Sequence, residues 1–217
     1  YGLTETTPLI AICEPRASHM DLTIEQRAKV KARQGIELVS SGELKVVDDD
    51  GVEVAKDGET LGEITVRGNV VMTGYYNDPE STAAAIKDGW FYTGDAAVVH
   101  DDGYLEIRDR FKDVIISGGE NISSVEVEGC LLHHPAVLEV AVVGMPHEKW
   151  GEAPHAFIVL HAGKTSTEDE LRSHVRENLA HFKTPQWFSF VSDLPKTATG
   201  KVQKFLLRDG KAGISKQ

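Results

Sequence analysis

The run LPKTATGKVQK, residues 194–204, places three lysines around a Thr-Ala-Thr-Gly turn. A Gly-Lys pair ends the phosphate-cradling loop G-x-x-x-x-G-K-[ST], whose backbone N–H groups surround phosphates while the lysine reaches the terminal ones. Here Pro195 stands where that loop needs its first glycine, and Val202 where it needs a metal-binding hydroxyl. Lys201 is therefore not a lysine of that type, and a polar surface turn is the plain alternative. Three further short runs combine glycine with polar side chains: YGLTE at 1–5, YTGD at 92–95 and SGGEN at 117–121. Each alone reads as a tight turn whose glycine supplies left-handed backbone.

Metal chemistry finds no ligand set. His133 and His134 are adjacent, so they point in different directions on a helix, and His147, His155 and His161 share no face. Cys13 and Cys130 lie far apart without C-x-x-C spacing, which excludes a disulfide framework and a thiolate site. A formal charge of −11 excludes a general nucleic-acid binder, because phosphate-backbone affinity comes from clustered lysine and arginine. The distribution is uneven. From Lys183 onward come Lys183, Lys196, Lys201, Lys204, Arg208, Lys211 and Lys216 against only Asp193 and Asp209, while acid gathers upstream, as in Asp48-Asp49-Asp50. A cationic tail on an acidic body suits a small anionic ligand, and a solvated C-terminus fits the same distribution.

The elements that must position these groups follow from pattern. A chain of 217 residues that is 41% hydrophobic can hold one large or two ordinary domains. No apolar run approaches the ~20 residues a bilayer needs, and no basic-then-apolar leader opens the chain, which points to the cytoplasm. The opening YGLTETTPLIAI, without methionine, reads as cut from something longer. Residues 43–49 and 62–72 alternate as half-buried strands. Asp78-Pro79 predicts an N-cap and first turn for a short helix over Ser81 to Lys87, with Gly89 as its stop. Ala96 to His100 and Tyr104 to Arg108 form a hairpin about Asp-Asp-Gly.

Beyond it, FKDVIISGGENISSVEVE reads as a strand, a Gly-Gly turn and a helix start with Ser123 and Glu126 as capping box, the helix running to about His133. Strands VLEVAVVGM and HAFIVLH follow. Thr167 with Glu170 then caps a helix with Leu171, Val175 and Leu179 on one face, and WFSFV is the last strand. The boundary falls near Arg110 to Asp113.

Taken in order, YGLTE, YTGD, GYLEIRDRFKDVIISGGENISSVEVE at 103–128 and PKTATGK at 195–201 resemble the adenylate-forming (AMP-binding) acyl-CoA synthetase superfamily over essentially the whole chain. In wording such as RGNVVMTGYYNDPE the chain is most similar to short- and medium-chain fatty-acyl-CoA ligases. The resemblance implies an α+β fold: residues 1–111 as a β-rich remnant of the large domain, and 112–217 as a small mobile α+β lid domain. It implies two half-reactions. A carboxylate attacks the α-phosphorus of ATP to give acyl-AMP and pyrophosphate, and the CoA thiol then displaces AMP. The protein's part is positioning and charge stabilisation.

By resemblance, Lys201 would neutralise charge gathering between the attacking carboxylate and the α-phosphate. Tyr1 would lie against adenine, Thr4 would bond the α-phosphate, Glu5 would hold Mg²⁺, Asp95 would accept from the ribose hydroxyls, and Arg110 would contact the nucleotide. Lys112 would be the hinge of domain alternation. Ser117, Gly118, Gly119 and Glu120 would line the pantetheine tunnel, with Trp150 and Phe182 as aromatic contacts of CoA. Thr184 stands where some relatives place an arginine. The pyrophosphate-gripping Ser/Thr/Gly-rich loop and most of the acyl pocket have no counterpart, so the expectation is an inactive C-terminal fragment of a fatty-acid-metabolising ligase, completed by the N-terminal region of the same enzyme. Two alternatives remain: an adenylation domain that loads a carrier protein, and a non-enzymatic nucleotide-binding or interaction domain.

Overall fold

The computed structural model describes residues 1–210, so Lys211 and Lys216 lie outside the described residues. The chain divides into two units, Tyr1–Phe111 and one that begins at Lys112. In the first, a 3-10 turn at Thr4–Thr6 precedes β1 (Ala11–Ile12), which pairs antiparallel with β2 (Ile36–Glu37). Between them runs α1 (Ile24–Lys31). Thr23 caps it by accepting from Gln26 N at 3.2 Å, and Gln26 Oε1 accepts from Thr23 N at 3.0 Å.

The main sheet of this unit is antiparallel. It contains β3 (Glu43–Val47), β4 (Gly62–Arg67), then after α2 (Pro79–Ala85) the strands β5 (Ile86–Lys87), β6 (Trp90–Val99) and β7 (Leu105–Arg110). β4 lies along one edge of β6, while β5 and β7 share the other, one at each end. Ile10, Val46, Ile64, Val66, Ala97 and Leu105 are buried together in the core of this unit, each valine, leucine or isoleucine contributing about 1.5–3 kcal/mol.

Two expectations shift. The strand expected over 62–72 ends at Arg67, which lies opposite Glu43, the first residue of its partner β3; Gly68 beyond it passes so close to Ser41 that a Cβ would meet its carbonyl oxygen at 2.7 Å. The helix expected to reach Lys87 ends at Ala85. Asp78 caps it as expected, accepting from Ser81 N at 2.9 Å, but Gly89 is not its stop. Asp88 (φ 51°) and Gly89 (φ 80°) are the two central residues of a hairpin that pairs Lys87 with Trp90. Positive φ at both central residues matches the twist of the flanking strands, which is why Asp-Gly favours hairpins.

The second unit has a sheet in the order β10-β11-β8-β9, with β12 parallel to β11. Its elements are β8 (Ile115–Ser117), β9 (Glu120–Ile122), α3 (Ser124–Leu132), β10 (Val137–His147), β11 (Gly151–Leu160), α4 (Glu168–Asn178), β12 (Trp187–Phe190) and α5 (Lys204–Arg208). Successive side chains of a strand face opposite ways. Val140, Val142 and Ile158 pack against Val127 and Leu131 of α3 and Leu171 and Val175 of α4. Ala141, Val143, Phe157 and Val159 pack with Val191, Leu194 and Leu207 on the other face. A sheet covered on both faces explains the unbroken apolar run VAVV at residues 140–143. The box of Thr167 and Glu170 forms on α4. At α3, Ser123 Oγ accepts from Glu126 N at 3.2 Å, and the Glu126 carboxylate takes Lys183 Nζ at 2.6 and 2.7 Å. Among the described residues no helix is long and apolar enough to cross a membrane.

His155 of β11 stacks on Phe157 at 4.3 Å between ring centroids, and its Nε2 lies 2.9 Å from Ser189 Oγ. Burial holds its imidazole below the usual histidine range. A depressed folded-state value means that the neutral ring contributes stability above the unfolded value of about 6.5, lost as pH falls through the folded one. We expect urea midpoints to decline with pH below about 6.5 less steeply in His155→Phe than in the wild type; parallel curves would contradict this role.

Candidate functional site

The YTGD run is not a turn: it lies inside β6. Glu63 pairs with Ala96 and Thr65 with Tyr92, so Thr93, Gly94 and Asp95 stand opposite Ile64 alone, a bulge with two extra residues. A bulge strips backbone groups of their ladder partners, and buried ones must be satisfied otherwise. Thr93 Oγ1 donates to Ile64 O at 2.9 Å and accepts from Asp95 N at 3.1 Å, and Glu63 Oε1 accepts from Gly94 N at 2.8 Å. Gly94 has φ 73°, a value that strains any side chain. Threonine and glycine are thus each required by the bulge, while residue 95 gives it only a backbone N–H.

What the bulge delivers is a buried carboxylate. Asp95 is 6% exposed. Its Oδ1 lies 3.1 Å from Arg110 Nε, its cross-strand neighbour on β7, and its Oδ2 accepts from the Tyr1 hydroxyl. Arg110 also donates from Nη1 to Thr93 O at 3.1 Å. Burial, then the bond to Asp95, push the Tyr1 phenol well above its usual range, so it remains a donor. Tyr1, Asp95 and Arg110, expected as nucleotide residues, therefore meet in one cluster with exposed guanidinium and buried carboxylate. Thr4 is exposed on the 3-10 turn Thr4–Thr6. Glu5 beside it accepts from the Tyr75 hydroxyl at 3.1 Å, and its carbonyl accepts from Met72 N at 2.8 Å.

In the second unit, Lys112 is exposed on the 3-10 turn Phe111–Asp113. The SGGEN run is a hairpin, with Ser117 paired to Glu120 across Gly118 (φ 62°) and Gly119 (φ 90°). This turn sits over Trp150. Gly118 N donates to Trp150 O at 2.9 Å, and Ser117 pairs with Gly151. Trp150 is 39% exposed and stacks on His147 with centroids 4.4 Å apart. The structure thus unites Ser117, Gly118, Gly119, Glu120 and Trp150. Phe182 lies apart, 46% exposed on a 3-10 turn at His181–Lys183.

Lys201 ends a turn closed by Thr197 N to Lys201 O at 2.8 Å and Gly200 N to Thr197 O at 2.9 Å. The Thr197 hydroxyl accepts from Lys201 N at 3.1 Å and contacts Thr199 Oγ1 at 2.9 Å. The expected cationic tail is largely neutralised. Lys183 pairs with Glu126, Lys196 with Glu139, Lys204 with Glu128 and Arg208 with Asp113, at 2.5–2.8 Å. Of the five cations in this stretch that fall among the described residues, Lys201 alone has an exposed ammonium without an ion pair.

Comparison with known proteins matches residues 1–76 to the model "AMP-binding enzyme" and 126–201 to "AMP-binding enzyme C-terminal domain". The probable acyl-activating enzyme 6 of Arabidopsis thaliana is 52% identical over 96% of this chain and 38% of its own length. The 2-methylpropanoate CoA ligase of Humulus lupulus is 52% identical over 99% of the chain and 39% of its own. The chain belongs to the adenylate-forming, AMP-binding enzyme superfamily. Its fold is that of these enzymes: the o-succinylbenzoate CoA synthetase of Bacillus subtilis, solved with its acyl-adenylate intermediate, matches with a TM-score of 0.81 and 37% identity over 100% of this chain and 41% of that one. The chain spans about two fifths of the length of the curated relatives it matches.

Against this AMP-binding framework, three residues of the sites escaped sequence reading. Thr93 and Glu63 complete the bulge, and Tyr75 meets Glu5. Glu63 gave no signal, since it stands with Thr65 and Arg67 at the polar positions of the alternating run GEITVR; nor did Tyr75, whose contact spans 70 residues.

Proposed function

We propose that this chain is the C-terminal portion of an AMP-forming acid–thiol ligase, which joins a carboxylic acid of the fatty-acid class to CoA at the expense of ATP through an acyl-adenylate. The observation that carries the reading is Lys201, held on a hydrogen-bonded turn without an ion pair among the described residues, while Lys196 and Lys204 beside it are consumed by ion pairs. A free ammonium on a fixed backbone is suited to stabilising charge that develops only during reaction.

In this reading the first unit belongs to the large AMP-binding domain and the second is the lid, with Lys112 as hinge. Asp95 takes the ribose hydroxyls by exchanging its Tyr1 and Arg110 bonds for substrate ones, Tyr1 lies against adenine, and Arg110 follows the nucleotide. Thr4 faces the α-phosphate. Glu5 supplies one carboxylate to Mg²⁺, and one carboxylate with phosphate oxygens is a donor set this ion accepts; no group of three or more potential ligands occurs among the described residues, as a dedicated protein cage would need. The glycine backbone of the Ser117–Glu120 turn, with Trp150 under it, and Phe182 serve CoA. The two free thiols, Cys13 and Cys130, suit the reducing cytoplasm. The Humulus lupulus relative's name points to a small aliphatic acid as the substrate class to try first.

The test uses the full-length enzyme with ATP, Mg²⁺, 2-methylpropanoate and longer fatty acids. Acyl-CoA and pyrophosphate should form with free CoA, and the 217-residue chain alone should release none. Transfer only to a carrier protein would make it a carrier-loading domain instead, and nucleotide binding without pyrophosphate release from any acid would make it a binding module.

A further inference from the structure

We infer that Glu63 is a positioning residue of the nucleotide site: by holding the Gly94 N–H it fixes the β6 bulge that presents the Asp95 carboxylate. The inference rests on Asp95 as the ribose ligand, and it assigns a role to a residue that would touch no substrate. Three observations converge on it. The bulge is the only departure from regular pairing between β4 and β6, and it begins at Glu63 itself. The amide that Glu63 takes, at 2.8 Å, belongs to the residue with left-handed backbone, φ 73°, whose next peptide carries Asp95. The Thr93 hydroxyl serves Ile64 O and the Asp95 N–H on either side of the bulge, and the Gly94 N–H between them is taken by Glu63.

The carboxyl is kept there at a cost. Burial raises its proton affinity above the usual carboxylate range, opposed by the Gly94 N–H and by Lys87, and reinforced by the negative charges of Asp95 and Asp49. A half-buried acid set among two other carboxylates is unfavourable unless its hydrogen bond matters. A neutral acceptor of the same reach would give the bond without the charge.

That difference supplies the test, made on the full-length enzyme with ATP and 2′-deoxy-ATP as paired substrates. Asp95→Ala should abolish most of the preference for ATP, because the ribose hydroxyl loses its acceptor. Glu63→Ala should do the same through KM, about 10-fold for ATP with kcat changed less than about 3-fold, as expected for loss of a charge-assisted hydrogen bond that orients a ligand. Glu63→Gln, which keeps an oxygen at Gly94 N, should restore the preference. If Asp95→Ala loses the preference and Glu63→Ala keeps it, the positioning role is wrong and the ribose assignment stands. If Asp95→Ala keeps the preference, the ribose assignment itself fails. Should Glu63→Ala not fold, Glu63→Asp, one methylene too short for Gly94, must show the same loss of preference or the inference is overturned.

Discussion

Lys201→Ala in the full-length ligase is expected to slow acyl-adenylate formation about 10²–10³-fold, the usual loss on removing one preorganised charge stabiliser, and to leave folding untouched. The second expectation follows from the turn. Its closing bonds are made by the Thr197 and Gly200 backbone and the Thr197 hydroxyl, none by the Lys201 side chain. The ammonium is exposed and free of ion pairs among the described residues, so deleting it strands no buried partner. Single-turnover release of pyrophosphate measures the adenylation step, and thioester formation from supplied acyl-adenylate measures the other, which should change less than about 3-fold. Equal loss in both steps would mean that Lys201 serves binding in general. Unimpaired adenylation would remove the ligase mechanism proposed for it.

How far this was legible beforehand depends on the range of the interaction. Strands 43–47 and 62–67, the Thr167–Glu170 box and the apolar face of α4 were readable because the signals are local: period-two alternation, a hydroxyl three residues before an acid, and leucine and valine four apart. The Asp88-Gly89 hairpin and α1 carried equally local signals, an Asp-Gly pair and the Thr23-x-x-Gln26 box, but Gly89 invited a helix stop and the run over α1 gave rise to no expectation.

The site runs were legible as motifs but not as geometry. YTGD looks like a turn since bulge and turn both want glycine at positive φ, and only the register with β4, some thirty residues upstream, separates them. The three lysines of LPKTATGKVQK are indistinguishable in sequence. Lys196 is bound 57 residues away at Glu139 and Lys204 at Glu128, pairings that no spacing rule announces. Among the described residues the tail that reads as cationic is therefore mostly a set of struts, and the one charge left over there, on Lys201, is the one to which we assign a chemical role.

Those struts carry the largest expected effect on stability. Glu128→Ala should destabilise the second unit by about 3 kcal/mol, the order found when one partner of a buried ion pair is removed. Glu128 sits on α3 facing β10, an edge strand whose outward N–H groups lack a neighbouring strand. Its Oε1 accepts from Val142 N at 2.8 Å and from Lys204 Nζ at 2.7 Å, and Lys204 also donates to Ser124 Oγ at 2.6 Å. The two charged side chains are 17% and 15% exposed. Alanine would take the carboxylate from a nearly buried ammonium, leaving its charge to the neutral Ser124 hydroxyl, and the Glu128 oxygen from a strand amide, so that desolvation of both is less well compensated. Glu128→Gln keeps an acceptor for Val142 and should lose only about a third as much. Glu128→Ala with Lys204→Met should recover part of the loss, because the unpaired charge is gone. Urea unfolding of the wild type, Glu128→Ala, Lys204→Met and the double variant measures the cycle. Lys204 opens α5, directly after the Lys201 turn, and Arg208 closes it through Asp113 at 2.5 Å. Loosening the Lys204 end should therefore also reduce adenylation in the Glu128→Ala enzyme more than it reduces thioester formation. Additive effects of Glu128→Ala and Lys204→Met on stability would show that the pair is not coupled, and with it the claim that Lys201 stands on a braced support would fall.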